Sequence, residues 1–245
     1  DHIVPIPEDS ALGAAVALAR QLSANRCDDS SEVERIASRL REQMVSQLSE
    51  HPAALHRQLR EAAAGGRVNE LCSLLQRGAN VNADDRGGLT LLHWASYLGR
   101  DKVAKALLEE GADVHAVDNF GQTPLHYACQ NGKDKVAKML LDAGADVNAV
   151  DNKYGSTPLH RASDKGHDKV AKMLLDAGAG VNAATKKGNT PLHFASRWGH
   201  DKVVKMLLDG GANVNAVQKD GMTPLHWASS CGHDKVARVL LDEGA

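Results

Sequence analysis

Between Thr157 and Asn182 the apolar residues fall in two short bursts separated by a glycine. In the second burst Val170, Ala171, Leu174 and Leu175 recur at helical spacing, while Lys169, Lys172 and Asp176 take the opposite side. That pattern predicts an amphipathic helix with one buried stripe. The first burst, Leu159, Ala162 and Ser163, predicts a shorter helix of small residues. Thr157 suits its N-cap and Pro158 its first position, where the missing N–H would have had no helical partner anyway. Gly166 ends this helix and Gly178 the next, after which a turn carrying Val181 leads on. Asp168 stands four residues before Lys172, and the same spacing recurs in Asp134/Lys138, Asp201/Lys205 and Asp234/Arg238. It predicts a weak ion pair along each second helix.

This unit recurs. Gly-Ala returns at Gly78, Gly111, Gly144, Gly178, Gly211 and Gly244, at a spacing of 33 with one step of 34. A second marker keeps the same register: Thr90-Leu91-Leu92-His93, then Thr-Pro-Leu-His beginning at Thr123, Thr157, Thr190 and Thr223. The extra residue of the longer step falls between Asp151 and Gly155, where it lengthens an exposed turn without shifting a helix face. One helix pair is too small to bury its own apolar stripe, so neighbours must stack, leaving no single central core.

Together the two markers resemble the ankyrin repeat family from about residue 58 to the end. The resemblance implies an all-α solenoid of stacked helix-turn-helix units joined by β-turn or hairpin-like loops. Five repeats are expected, at about 84–117, 118–150, 151–183, 184–216 and 217–245. Residues 58–83 keep the second-helix half but carry Arg60-Glu61-Ala62 in place of the Thr-Pro-Leu-His marker, as a partial capping repeat would. The sequence stops just after an apolar second helix with Val236, Val239, Leu240 and Leu241, so further repeats or a partner are expected to cover that end. It opens on Asp1 rather than Met, as an excised or processed piece would.

Residues 1–57 follow another pattern. Ile3-Val4-Pro5-Ile6-Pro7 predicts an extended start, because two prolines forbid a helix. Leu12, Ala15, Val16, Ala19 and Leu22 predict one helix; Val33, Ile36, Leu40, Met44 and Leu48 predict a second, with Ser31 and Glu34 as its capping box. Pro52 predicts the opening of a third, running to Gly65. The segment resembles no family, and two readings stand: a helical cap on the first repeat, or a separate dimerisation or docking module.

Charge narrows the function. The 245 residues carry 29 Lys and Arg against 31 Asp and Glu, so binding of nucleic acid or membrane through bulk charge is excluded and only local patches remain. The longest apolar run, residues 11–19, is about half of a bilayer span and lacks a basic region before it. Four scattered cysteines without a C-x-x-C pair suit a reducing compartment, the cytoplasm or the nucleus. Cys231 is expected exposed and Cys129 buried.

Twelve histidines invite a metal or catalytic reading, which the repeat phase opposes. His93, His126, His160, His193 and His226 hold one repeat position; His167, His200 and His233 hold another. Equivalent groups on stacked helices lie roughly 8–10 Å apart, whereas zinc ligands converge to about 2.0–2.3 Å from one ion. The resemblance gives the first set a structural role, bonding to the Thr hydroxyl and the backbone near each turn. No phosphate-binding loop, nucleophile elbow or His-Glu-x-x-His is present. No enzyme activity, catalytic residue, metal or cofactor is expected.

In ankyrin repeats, partner contacts usually come from the turn before Thr-Pro-Leu-His and from the exposed side of the first helix. That comprises six positions per repeat: two before the turn Gly, one after it, one after His, and two before the next Gly. All the aromatic residues of the chain, three Trp, three Tyr and two Phe, fall there: Trp94, Tyr97, Phe120, Tyr127, Tyr154, Phe194, Trp198 and Trp227. The residue after His has a competing role as half-packed framework, which would take Trp94, Tyr127, Phe194 and Trp227. Tyr97, Phe120, Tyr154 and Trp198 have none. The same positions hold Arg86, Lys153, Arg161, Lys165, Lys186, Lys187, Arg197 and Lys219 against Asp164 and Asp220, a basic groove in a nearly neutral protein.

Aromatic and Arg side chains on one surface are what binding hot spots are made of. The expectation is therefore a protein-interaction module whose concave aromatic and basic face takes a partner protein with an acidic segment. Basic grooves with interleaved aromatics also stack bases and neutralise phosphates, so a sensor for a nucleotide-like or nucleic-acid ligand is the alternative. Against it, the cations are spread over all five repeats.

Overall fold

The computed structural model describes residues 52–245, so the extended start and the two helices expected before residue 49 lie outside the described residues. The chain divides between Arg57 and Gln58 into two units, and the second is described here by itself. Twelve helices occur among the described residues, in six pairs: α1 (Pro52–Gly65) and α2 (Val68–Gln76), α3 (Leu91–Leu98) and α4 (Asp101–Glu109), α5 (Pro124–Gln130) and α6 (Asp134–Asp142), α7 (Pro158–Lys165) and α8 (Asp168–Asp176), α9 (Pro191–Arg197) and α10 (Asp201–Asp209), α11 (Pro224–Ser230) and α12 (Asp234–Asp242). The only strand-like pairing among them is an isolated bridge between Asp84 and Thr90. In the first pair α1 is 14 residues long, and its Leu59 is as buried as Leu125.

Each odd-numbered helix from α3 on starts the way its sequence dictates. Thr90, Thr123, Thr157, Thr190 and Thr223 are N-caps with extended backbone. Histidine takes the third helical position, where a capping box ordinarily has Glu or Gln. The backbone N–H of Thr157 donates to Nδ1 of His160 at 3.0 Å, and the equivalent bonds of the other four pairs are 3.1–3.2 Å. A backbone N–H can only donate, so Nδ1 is the acceptor and the ring proton sits on Nε2. From there it donates to a carbonyl oxygen of the following repeat: His93 to Gln122, His126 to Ser156, His160 to Asn189 and His193 to Met222, at 3.0–3.2 Å. Burial lowers the pKa of all four rings, that of His160 to about 4, which keeps them neutral and in this tautomer.

The core is a ribbon. From α7 and α8 it takes Leu159, Ala162, Val170, Ala171 and Leu174, and the same positions are buried in the neighbouring repeats. Each fully buried leucine contributes about 1.5–3 kcal/mol relative to exposure. Leu175, expected on the same face, is only half-buried. Successive odd-numbered helices pack closely, whereas successive even-numbered ones touch at far fewer places. Within residues 58–245 the row therefore bends toward the odd-numbered helices, which line its inner side.

The ion pairs run differently from the expected direction. Lys172 reaches forward to Asp176 at 3.4 Å, Lys138 to Asp142 at 3.5 Å and Lys105 to Glu109 at 3.7 Å. Asp168 is occupied at the start of its helix: one oxygen accepts the N–H of Lys169, and the other lies 3.8 Å from Lys202 of the next repeat. A carboxylate in the first turn meets orphan amides before it meets a lysine four residues on.

Candidate interaction surface

The turns that precede the odd-numbered helices project from one side of the stack and are joined tip to tip. Each closes on itself, as in Asp118 N–H to Gln122 O and Thr185 N–H to Asn189 O. Each also donates back to the tip before it: Asn119 to Gly87, Asn152 to Phe120, Lys186 to Tyr154 and Lys219 to Lys187, at 2.7–3.0 Å. The longer third turn spans Asp151 to Ser156, and its extra residue leaves Thr157 and α7 in register. These main-chain links hold Phe120 and Tyr154 outward.

Inside the first three of these turns an acidic residue, Asp85, Asp118 or Asp151, does the local work. Asp118 accepts the N–H groups of Phe120 and Gln122 with one oxygen and the Tyr127 hydroxyl with the other, at 2.7–2.8 Å. Asp151 accepts the Tyr154 N–H and, at 2.9 Å, Nη2 of Arg161. Burial pushes the Asp151 carboxyl up, but the Tyr154 N–H and the Arg161 guanidinium together outweigh it and hold it below the ordinary carboxylate range. Tyr127 and Arg161, each the residue after a marker histidine, thus reach back to their own turns. In the last two repeats Thr185 and Gln218 replace the aspartate, and Phe194 and Trp227 stand at the position after the histidine.

Tyr97, Phe120, Tyr154 and Trp198 are between 46% and 51% exposed, while Trp94, Tyr127, Phe194 and Trp227 are half-buried. Seven of these eight gather in three groups, while Phe194 packs edge-on against His160 with ring centres 5.7 Å apart. Tyr97 packs edge-on against Trp94 and Tyr127, with ring centres 6.4 Å apart in both pairs. Lys153 lies 5.7 Å over Phe120 and 5.0 Å over Tyr154, whose ring also meets Arg161 at 5.9 Å. Arg197 lies 5.3 Å over Trp198 and 4.8 Å over Trp227. The Trp198 indole N–H donates to Asp164 at 2.7 Å, and Lys165 pairs with that same carboxylate at 3.0 Å.

A cavity of about 580 Å³ opens between the third and fourth repeats, bringing together Tyr154, Arg161, Lys186, Lys187, Phe194 and Arg197 of the expected set. A smaller hollow of about 180 Å³ shares Lys187, Phe194 and Arg197 and adds Trp227. Arg86, Trp94, Tyr97, Phe120, Tyr127, Lys165 and Trp198 lie outside both. Arg86 is exposed on the first turn, where its carbonyl accepts from Asn119. Charge is not evenly met across the set. Arg161 has Asp151, Lys165 has Asp164, and Lys186 donates to the Asn152 carbonyl.

Sequence reasoning left the second histidine set without a role. His167, His200 and His233 place Nε2 within 3.0–3.2 Å of the carbonyls of Gln130, Asp164 and Arg197, each on the first helix of the preceding repeat. Arg100 makes the corresponding bond to Ala64. The signal was present one repeat upstream, because Gly132, Gly166 and Gly199 leave the room these rings fill. A Cβ on Gly166 would stand 2.4 Å from Nδ1 of His200. Among the described residues no three His, Cys, Asp or Glu side chains gather as metal ligands would, and no helix is long and apolar enough to cross a membrane. Cys129 is buried, which pushes its thiol pKa up, and Cys231 is exposed.

The family model described as Ankyrin repeats (3 copies) matches residues 37–118, 59–151, 112–185 and 179–245. No curated protein matches the chain. Ankyrin repeats generally mediate protein–protein interaction, and proteins built from them are typically non-enzymatic. With matches from residue 37 to the end, a histidine-capped first helix in every pair from α3 on and zipped turns between them, the chain belongs to the ankyrin repeat family.

Proposed function

We propose that residues 84–245 bind a partner protein along the inner side of the stack, with Phe120, Tyr154 and Trp198 as anchors and the Arg and Lys residues drawing an acidic segment toward them. No catalytic step is assigned to the chain, and the compartment we assign is the cytoplasm or the nucleus. The observation that carries the reading is the exposure of Tyr97, Phe120, Tyr154 and Trp198. Among the described residues the other exposed large apolar side chains are aliphatic, Val117, Val150, Val217 and Leu241, whereas these four are rings that stand on one side, three of them beside a cation. Half-exposed aromatic rings contribute little to folding, and they are the type of residue that dominates binding energy.

The test is affinity capture from cell lysate with the intact chain, followed by a measured Kd for the most enriched protein against a Tyr154→Ala/Trp198→Ala variant. Loss of two hot spots should weaken that Kd by roughly thirty-fold or more. An unchanged Kd overturns the reading.

A further inference from the structure

We propose that the cavity between the third and fourth repeats is a subsite for an apolar side chain carried between carboxylates on a peptide of the partner protein, with Lys187 and Arg197 receiving the carboxylates. The proposal rests on the reading above and narrows it to one place and one chemistry. The cavity, about 580 Å³, is of the size that encloses a small ligand or a few residues of peptide, and its walls are mostly apolar, with Tyr154 and Phe194 among them.

Positive charge is left over on one side of this cavity. In the third repeat Asp151 meets Arg161 at 2.9 Å. In the fourth, the residue at the same turn position is Thr185, and neither Lys187 nor Arg197 has a carboxylate partner. Arg197 is also held in place, with its guanidinium 4.8 Å over Trp227 and 5.3 Å over Trp198, and its side-chain N–H groups make no hydrogen bond among the described residues. A guanidinium packed on rings and left with free donors is pre-organised for an incoming anion.

Carboxylates fit better than the phosphates of a nucleotide. Phosphate sites are commonly built from convergent backbone N–H groups. Here most turn amides are engaged, Lys186 N–H on Tyr154, Gly188 N–H and Asn189 N–H on Thr185 and Lys219 N–H on Lys187, and the one N–H that remains in this turn, that of Lys187, makes no convergent set. What remains are separate side-chain cations, Lys153, Lys187 and Arg197, at a mostly apolar cavity whose one carboxylate, Asp164, is taken up by Trp198 and Lys165, an arrangement that matches separate acidic side chains flanking an apolar one.

The experiment uses the full 245-residue chain and labelled synthetic peptides read by fluorescence anisotropy. The probe is a nonapeptide of glutamates with one central leucine. Its companions have glutamine for every glutamate, or serine for the leucine. The probe should bind, and each companion should bind at least tenfold more weakly. Lys187→Gln/Arg197→Gln should weaken the probe at least tenfold, whereas Lys102→Gln/Lys235→Gln, an equal charge loss at exposed positions on the second helices, should leave it within twofold. Failure of the probe to bind, equal loss in both double variants, or displacement by ATP at lower concentration than by unlabelled probe overturns the proposal. If a captured partner depends on Tyr154 and Trp198 but is indifferent to Lys187→Gln/Arg197→Gln, the subsite falls while the broader interaction function stands.

Discussion

Arg161 and Asp151 form a pair in which Nη2 stands 2.9 Å from a fully buried carboxylate oxygen, beneath the turn that carries Tyr154. Removing one partner of such a pair strands the other. Arg161→Met should therefore destabilise the repeats toward the lower end of about 3–5 kcal/mol, since the arginine is itself partly exposed. Adding Asp151→Thr, the residue found at position 185, should restore most of the loss. Urea unfolding of the two single variants and the double variant gives the coupling directly.

Acid should weaken the stack through its histidines. The buried rings have pKa values below the ordinary 6.5, so between pH 6.5 and the folded value the unfolded chain binds more protons than the native one. Stability is then full above pH 6.5 and declines as the pH falls. For His160, with a folded value of about 4, the loss by pH 4.5 is roughly 2–3 kcal/mol. Urea midpoints at pH 7 and 4.5 should show this decline, and it should be smaller in a His160→Asn variant. Equal slopes would mean that the ring is not buried neutral.

Two glycines with the same backbone should respond differently to a methyl group. Gly166 and Gly178 have φ of +70° and +86°, in the left-handed region. At Gly178 nothing lies within 4 Å of an added Cβ, so Gly178→Ala should cost only the conformational term, about 1–2 kcal/mol. Gly166→Ala also drives the Cβ into the ring of His200 and should cost clearly more. A Gly166→Ala/His200→Ala variant should regain the difference, as read from thermal midpoints.

Leu174 and Trp198 separate packing from recognition. Leu174 is fully buried, and Leu174→Ala should cost about 2–5 kcal/mol of folding free energy. Trp198 is half exposed, and its one polar contact is with Asp164 at the surface, so Trp198→Ala should stay within about 1 kcal/mol. If calorimetry finds the two variants equally unstable, Trp198 is framework, and its role as a binding anchor falls.

What the sequence disclosed was whatever lies inside one repeat. Thr157, Pro158 and Gly166 announce a helix by chemistry local to it, and the recurrence of Thr-Pro-Leu-His announces the stack. The exposure of Phe120 and Trp198 also followed from repeat position. What stayed hidden are bonds that cross from repeat to repeat, about thirty or more residues along the chain. His200 reaching the Asp164 carbonyl and Lys186 N–H reaching Tyr154 are examples. No local pattern says which backbone atom a neighbour will offer. The misread ion pairs have another cause: a spacing of four is shared by Asp168/Lys172 and Lys172/Asp176, and the choice between them depends on Asp168 being taken up at the helix start.

Each link between turn tips has a main-chain bond, from Asn119 N–H on Gly87 to Lys219 N–H on Lys187, with side-chain bonds from Asn119 to Arg86 and from Lys186 to Asn152 beside it. Side chains at Phe120, Tyr154 and Lys187 are thus not what holds the tips together, and they can be exchanged with little penalty to the scaffold. Specificity is in that sense rewritable: transplanting the Lys186-Lys187 pair onto positions 119 and 120 would relocate charge by two repeats. A lineage built on this backbone could drift from one partner to another through a handful of turn substitutions, without passing through an unfolded ancestor.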